Sequence, residues 1–273
     1  MKPAVATVCS LDASLPTILE DYAAGHCDAV DLWLGHAEAV LETQSVDSLC
    51  DLFASSGITP IAASFQGGLL TSQGEARQEH WSLFENRLLL LNSLSIPLLV
   101  VAGDAFGPLT PQDLSRLSMS LSEAGKRAAD AGLRIALEFD ARASFPNNLQ
   151  SAIALVEDVG HPAVGLCLDW YHYTVGPSKA NDLWLLSPDN LFHVQLSDVA
   201  DVPREMASDA DRILPGEGSS PPDQLLTRLR EIGYAGSIAV ETQNPQLWRV
   251  PPRQFGEIAI TALRRLLGDA SME

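Results

Sequence analysis

Eight short runs of Val, Ile, Leu and Ala recur along this chain, and each is followed by a stretch with helical patterning. Short continuous apolar runs of this kind read as strands buried on both faces, which is how parallel strands between helices look. The runs cover residues 4–8, 29–34, 60–65, 98–103, 134–139, 164–169, 191–196 and 237–241. Helical segments are expected at 15–24, 45–56, 74–93, 111–131, 148–159, 181–186, 222–232 and 252–267. Helix ends carry glycine just past the last turn, as in AAGHC, SSGITP, DAGLR and EIGYAG, and Thr110 with Pro111 is a helix start. Eight strand–helix units predict an α/β fold, a (β/α)8 TIM barrel filling residues 1–273 as a single domain. The rival, a doubly wound open sheet, lacks its glycine-rich phosphate turn after the first strand.

In such a barrel the C-terminal ends of the strands carry the chemistry. Four consecutive runs here close on an oxygen-bearing side chain: Glu138 in RIALEFD, Asp169 in VGLCLDWYH, Gln195 in LFHVQLSD and Glu241 in SIAVETQ. Any one of them alone is more often a helix cap or a solvated loop residue. Together they place three carboxylates close to one another, a repulsion that a cation relieves. An all-oxygen set predicts Mn²⁺ or Mg²⁺ rather than Zn²⁺. His193, two residues before Gln195 and on the same strand face, is either an alternative ligand, a substrate contact or a histidine packed in the barrel interior.

His172 follows Asp169 by three residues, which lets it lean over a cation held there and act as general base. With Glu138 and Glu241 it completes the expected proton-transfer set. Trp170, Tyr171 and Tyr173 are expected to shelter it. Arg212 opens the turn-rich RILPGEG at the end of a long stretch, 199–222, and is the candidate clamp for a substrate oxygen. Lys179, Arg142 and Arg204 are weaker candidates of the same kind or simply solvated charges. Trp33, His36 and Gln66 end the second and third strands, as a sugar-binding floor or as packing. No serine-hydrolase elbow, P-loop or HExxH motif occurs.

A net charge of −18 is the wrong sign for nucleic acid and disfavours an anionic membrane surface. The four cysteines, Cys9, Cys27, Cys50 and Cys167, show neither CxxC nor zinc spacing and read as buried thiols of a reducing compartment. With no signal-peptide pattern and no run of membrane-spanning length, a cytoplasmic protein is expected. The oligomeric state is left open, a homo-oligomer included.

The motifs ALEF, LDWYH, HVQLSD, DRILPGEG and VET together resemble the sugar phosphate isomerase/epimerase superfamily, the xylose isomerase-like barrels that include inosose isomerases and dehydratases. The resemblance runs over nearly the whole chain. It implies a divalent metal held by residues at Glu138, Asp169, position 195 and Glu241. The pattern usually has histidine at the third of these, where this chain has Gln195. Glutamine there is similar to the bacterial 3-dehydroshikimate dehydratases, in which a histidine after the aspartate ligand is the base. The glutamate-rich dehydratase motif after the fifth strand is not reproduced, since this chain reads EFDARASFPNN. The loop before RILPGEG looks closer to the inosose isomerase branch.

The expected activity is removal of a proton beside a carbonyl of a sugar or cyclic keto-polyol, a small-molecule substrate. Gln195 and His172 favour elimination, a dehydratase or lyase. The alternative is a sugar isomerase or epimerase working through a stabilised enediolate. An endonuclease is opposed by the charge, and a non-catalytic sugar-binding barrel is the third class.

Overall fold

The computed structural model describes residues 1–268. The strands are β1 (Lys2–Ala6), β2 (Ala29–Trp33), β3 (Thr59–Gln66), β4 (Leu98–Gly103), β5 (Arg134–Phe139), β6 (Val164–Asp169), β7 (Leu191–Leu196) and β8 (Ser237–Val240). Among the described residues these eight close into a parallel barrel in the order β1-β8-β7-β6-β5-β4-β3-β2. The helices are α1 (Leu15–Ala24), α2 (Leu34–Leu41), α3 (Val46–Ser56), α4 (Gly74–Ser93), α5 (Pro111–Asp130), α6 (Leu149–Val159), α7 (Trp170–Val175), α8 (Asp223–Glu231) and α9 (Pro252–Leu267). The expected (β/α)8 architecture is what the chain adopts.

Among the described residues the chain divides into two compact sets of elements, residues 1–61 with 194–268, and residues 62–193. In the first, Ala4, Ala29 and Ala239 form a small-residue layer with Ile61 packed on it. Helix α1 buries Leu15, Ile18, Leu19 and Tyr22, an i, i+3, i+4, i+7 face, and α9 buries Phe255, Ala259, Ile260 and Leu263. The two helices meet closely at Gly256, where a Cβ would stand 2.8 Å from the Tyr22 ring. In the second set, Ala62, Leu98, Val100, Ala136 and Cys167 form the corresponding layer beside Phe192.

Register decides which side chains share a face. Glu138 on β5 pairs with Cys167 on β6, and neighbours across a parallel pair point the same way. Asp169, two residues beyond Cys167, is on that same face and nearer the C-terminal end of its strand.

Several expectations are corrected. β1 stops at Ala6 and the chain turns into a 3-10 helix, Thr7–Ser10, because the Thr7 hydroxyl accepts from Trp33 N at 2.9 Å. The second strand ends at Trp33 and passes directly into α2, which the sequence did not suggest. Residues 181–186 are not an α-helix but overlap a 3-10 segment, Ala180–Leu185. The stretch after β7 is ordered by an antiparallel pair, Asp198–Val199 with Arg212–Ile213. Cys9, Cys27 and Cys167 are buried free thiols and Cys50 is half-buried. Among the described residues no helix is long and apolar enough to cross a membrane.

Candidate metal centre and proton-transfer site

Asp169 ends β6 and caps α7, its Oδ1 accepting from Tyr171 N at 2.7 Å. That cap starts the helix at once, and its first turn brings His172 back over the strand ends. His172 Nε2 lies 3.8 Å from Asp169 Oδ2 and 3.9 Å from Glu138 Oε1. Ligand atoms of all three residues lie within 4.8 Å of one another. Two donors each about 2.0–2.2 Å from one ion stand at most about 4.4 Å apart. Glu138 and Asp169 are therefore close enough to share a divalent cation with small side-chain movements, with His172 Nε2 beside it. His172 and Asp169 are buried and Glu138 is half-buried, so charges here are poorly screened by water.

The other ring nitrogen of His172 meets two groups of opposite character. Asp140 Oδ1 is 3.7 Å from Nδ1, and Ala141 N donates to Nδ1 at 3.4 Å. Asp140 is itself held by Arg142, through the backbone N at 2.8 Å and Nε at 3.2 Å. Of the three aromatic residues expected to shelter His172, Tyr171 lies edge-on to it at 5.4 Å, while Trp170 stacks on Tyr173 at 4.8 Å. Asp104, just past β4, accepts from Gly68 N at 2.6 Å, and burial raises its carboxyl above the usual range.

The elements of the other set position Gln195, Glu241 and Arg212. Gln195 is fully buried, and its Nε2 donates to Asp31 Oδ2 at 3.2 Å. Glu241 follows β8 directly. Its backbone N donates to Leu196 O at 2.9 Å, and its Oε1 accepts from Gln243 Nε2 at 2.9 Å. Cys9 braces the backbone on both sides of it, donating to Val240 O at 3.4 Å and accepting from Thr242 N at 3.1 Å. Burial pushes the Cys9 thiol up to about 12, so this thiol is a bracing group and not a nucleophile. Arg212 is fully buried. Its Nε donates to Asp209 at 3.0 Å and its carbonyl accepts from Asn244 Nδ2 at 3.0 Å. The loop around it hangs on Asp198, whose Oδ1 accepts from Val199 N and Ser220 N at 2.8 Å each and whose Oδ2 accepts from Gly216 N at 3.1 Å.

The remaining expected residues are placed as follows. His36 lies on the first turn of α2, not at a strand end, with Nδ1 3.1 Å from Thr7 Oγ1 and Nε2 3.4 Å from Leu11 O. Burial lowers its pKa. Gln66 ends β3 and accepts from Arg87 at 3.1 Å. The residue before it, Phe65, holds φ at +91°, a conformation that bulky side chains rarely adopt, and exposes its ring. Trp33 ends β2 half-exposed, with His36 edge-on at 4.9 Å. His193 is fully buried within β7, while the side chains of Lys179 and Arg204 are exposed. Asp31, Asp140 and Asp198 were not singled out from the sequence. The one available signal was Asp31, a charge inside the apolar run AVDLW.

A profile of the xylose isomerase-like TIM barrel family matches residues 21–266. Inosose isomerase of Halalkalibacterium halodurans is 28% identical over 218 residues, 77% of this chain and 76% of that protein. The 3-dehydroshikimate dehydratase of Pseudomonas putida is 28% identical across a 278-residue alignment, spanning 98% of this chain and 41% of that longer protein. In fold the chain matches a crystal structure of IOLI protein with a bound zinc atom, with a TM-score of 0.92 at 22% identity over 100% of both chains.

Proposed function

Because the chain belongs to the xylose isomerase-like TIM barrel family, we propose that it is a divalent-metal-dependent enzyme that removes a proton beside a carbonyl of a sugar or cyclic keto-polyol. The observation that carries this reading is the buried His172 with Nε2 3.8–3.9 Å from the carboxylates of Asp169 and Glu138. In this reading Glu138 and Asp169 hold the cation, and Gln195 and Glu241 are its further oxygen donors. That set suits Mn²⁺ or Mg²⁺. The cation supplies Lewis acidity that makes the hydrogen next to the carbonyl more acidic.

The chain's own residues do the rest. His172 takes the α-proton at Nε2 in the tautomer whose Nδ1–H turns to Asp140 and gives up the long 3.4 Å contact from Ala141 N, the orienting role a carboxylate plays behind a histidine base. The 3.7 Å separation there is long, as such contacts often are before substrate binds. In elimination the C–H electron pair becomes the new C=C bond as the β C–O bond breaks. His172 then returns its proton to the departing hydroxyl, so that an unsaturated ketone and water result. Arg212, rigidly held by Asp209, binds a substrate oxygen.

The 3-dehydroshikimate dehydratase likeness, which runs along nearly the whole chain, supports elimination. The inosose isomerase likeness supports the second reading, in which the proton returns to a neighbouring carbon and no hydroxyl leaves. Incubating the metal-loaded protein with an inosose and with 3-dehydroshikimate separates them. An unsaturated product with release of water is expected. A rearranged keto-polyol alone would hand the function to the isomerase reading, and no turnover of either class would overturn the proposal.

A further inference from the structure

Asp31 occupies the middle of β2, in the run AVDLW, with no solvent exposure. A carboxylate within a barrel strand is costly unless it is paired. Its Oδ2 accepts from Gln195 Nε2 at 3.2 Å, and Gln195 is likewise fully buried. The two ends of a glutamine amide differ: the NH₂ donates and the carbonyl oxygen only accepts. An aspartate carboxylate offers acceptors, so the NH₂ end must face Asp31, and Oε1 is directed away from it. We infer that Asp31 is a positioning residue that locks the Gln195 amide with Oε1 presented as a metal donor.

The inference rests on the proposed function, in which Gln195 is a ligand of the cation. It accounts for a buried charge that the proton chemistry does not otherwise use. An amide turned by half a rotation would offer an NH₂ group, which cannot ligate a cation. A carboxylate behind the NH₂ removes that alternative. It also polarises the amide, leaving Oε1 more electron-rich, as hydrogen-bond partners behind ligands generally do.

The test is Mn²⁺ titration of the metal-free full-length protein by calorimetry, in wild type, Asp31→Ala, Gln195→Ala and the double variant. Asp31→Ala should weaken Mn²⁺ roughly 10–100-fold, the usual effect of losing a partner behind a ligand. In the Gln195→Ala background the same change should move the affinity by no more than about twofold, the additivity error of independent sites. An equal weakening in both backgrounds would mean that Asp31 acts by its charge or by supporting the fold, and would overturn the inference. So would an Asp31→Ala protein with wild-type affinity beside a weakened Gln195→Ala. If Asp31→Ala does not fold, Asp31→Asn takes its place. Its amide can face Gln195 either way round, so a smaller loss that vanishes with Gln195→Ala is expected, and a loss that persists there refutes the idea. A wild type that binds neither Mn²⁺ nor Zn²⁺ would instead sink the proposed function itself.

Discussion

Asp198→Ala should loosen the loop that carries Arg212. Asp198 is fully buried and holds three backbone N–H groups, those of Val199, Ser220 and Gly216, at 2.8, 2.8 and 3.1 Å. Hydrogen bonds to a charged group contribute about 1.5–3 kcal/mol each. Their sum overstates the loss, because water can reach the exposed Gly216 and the half-buried Ser220, whereas Val199 is buried. The packing is also tight: a Cβ on Gly218 would stand 2.2 Å from Val199 O and 2.6 Å from Asp198 Oδ1. A net destabilisation of about 2–4 kcal/mol follows. For a chain of this size that corresponds to a fall in Tm of roughly 5–10 °C. Calorimetric unfolding measures it, and hydrogen exchange at residues 199, 216 and 220 locates it. Asp198→Asn keeps one oxygen for Val199 and Ser220 but sets an NH₂ against Gly216 N, so it should fall between. An unchanged Tm with unchanged exchange at Val199 and Ser220 would refute the anchoring argument.

Replacing His172 by Ala should lower turnover on the order of 10²–10⁴-fold, the worth of a positioned acid–base group, with metal content retained. Near-normal turnover would remove it from the proton path. Burial lowers the pKa of His36 from 6.5, so the unfolded chain binds this proton more readily than the folded one. Stability should therefore fall as pH drops below about 6.5, and His36→Gln should flatten that limb of a pH–stability curve. A curve unchanged by the substitution would show that other groups govern it.

The barrel was legible because its buried parallel strands are unbroken apolar runs; β4, β5, β6 and β7 lie where the runs lie. Helix α2 was not, since LGHAEAVL joins β2 without a break and carries Gly35 in its first turn. Helix α7 was hidden for a similar reason: Asp169 is both the last residue of a strand and the cap of the next helix. The candidate carboxylates and His172 could be read from strand-end position and spacing alone. Their supports could not. Asp31 gains meaning from Gln195, 164 residues away, and Asp140 from His172. A single acid near a strand end looks like an ordinary cap until its partner is known. Asp198 shows the same thing, since its partners Gly216 and Ser220 belong to a stretch with no periodicity to read.

The central claim is that His172 takes a proton from the carbon beside a carbonyl. A cyclic keto-polyol carrying deuterium at that carbon, given to the magnesium-loaded enzyme and followed by NMR, tests it directly. The account predicts that the deuterium passes to solvent, that turnover slows relative to the unlabelled substrate, and that both exchange and product vanish in His172→Ala with metal still bound. A product that keeps its deuterium, as a hydride shift would leave it, or full exchange in the His172→Ala protein, would contradict it.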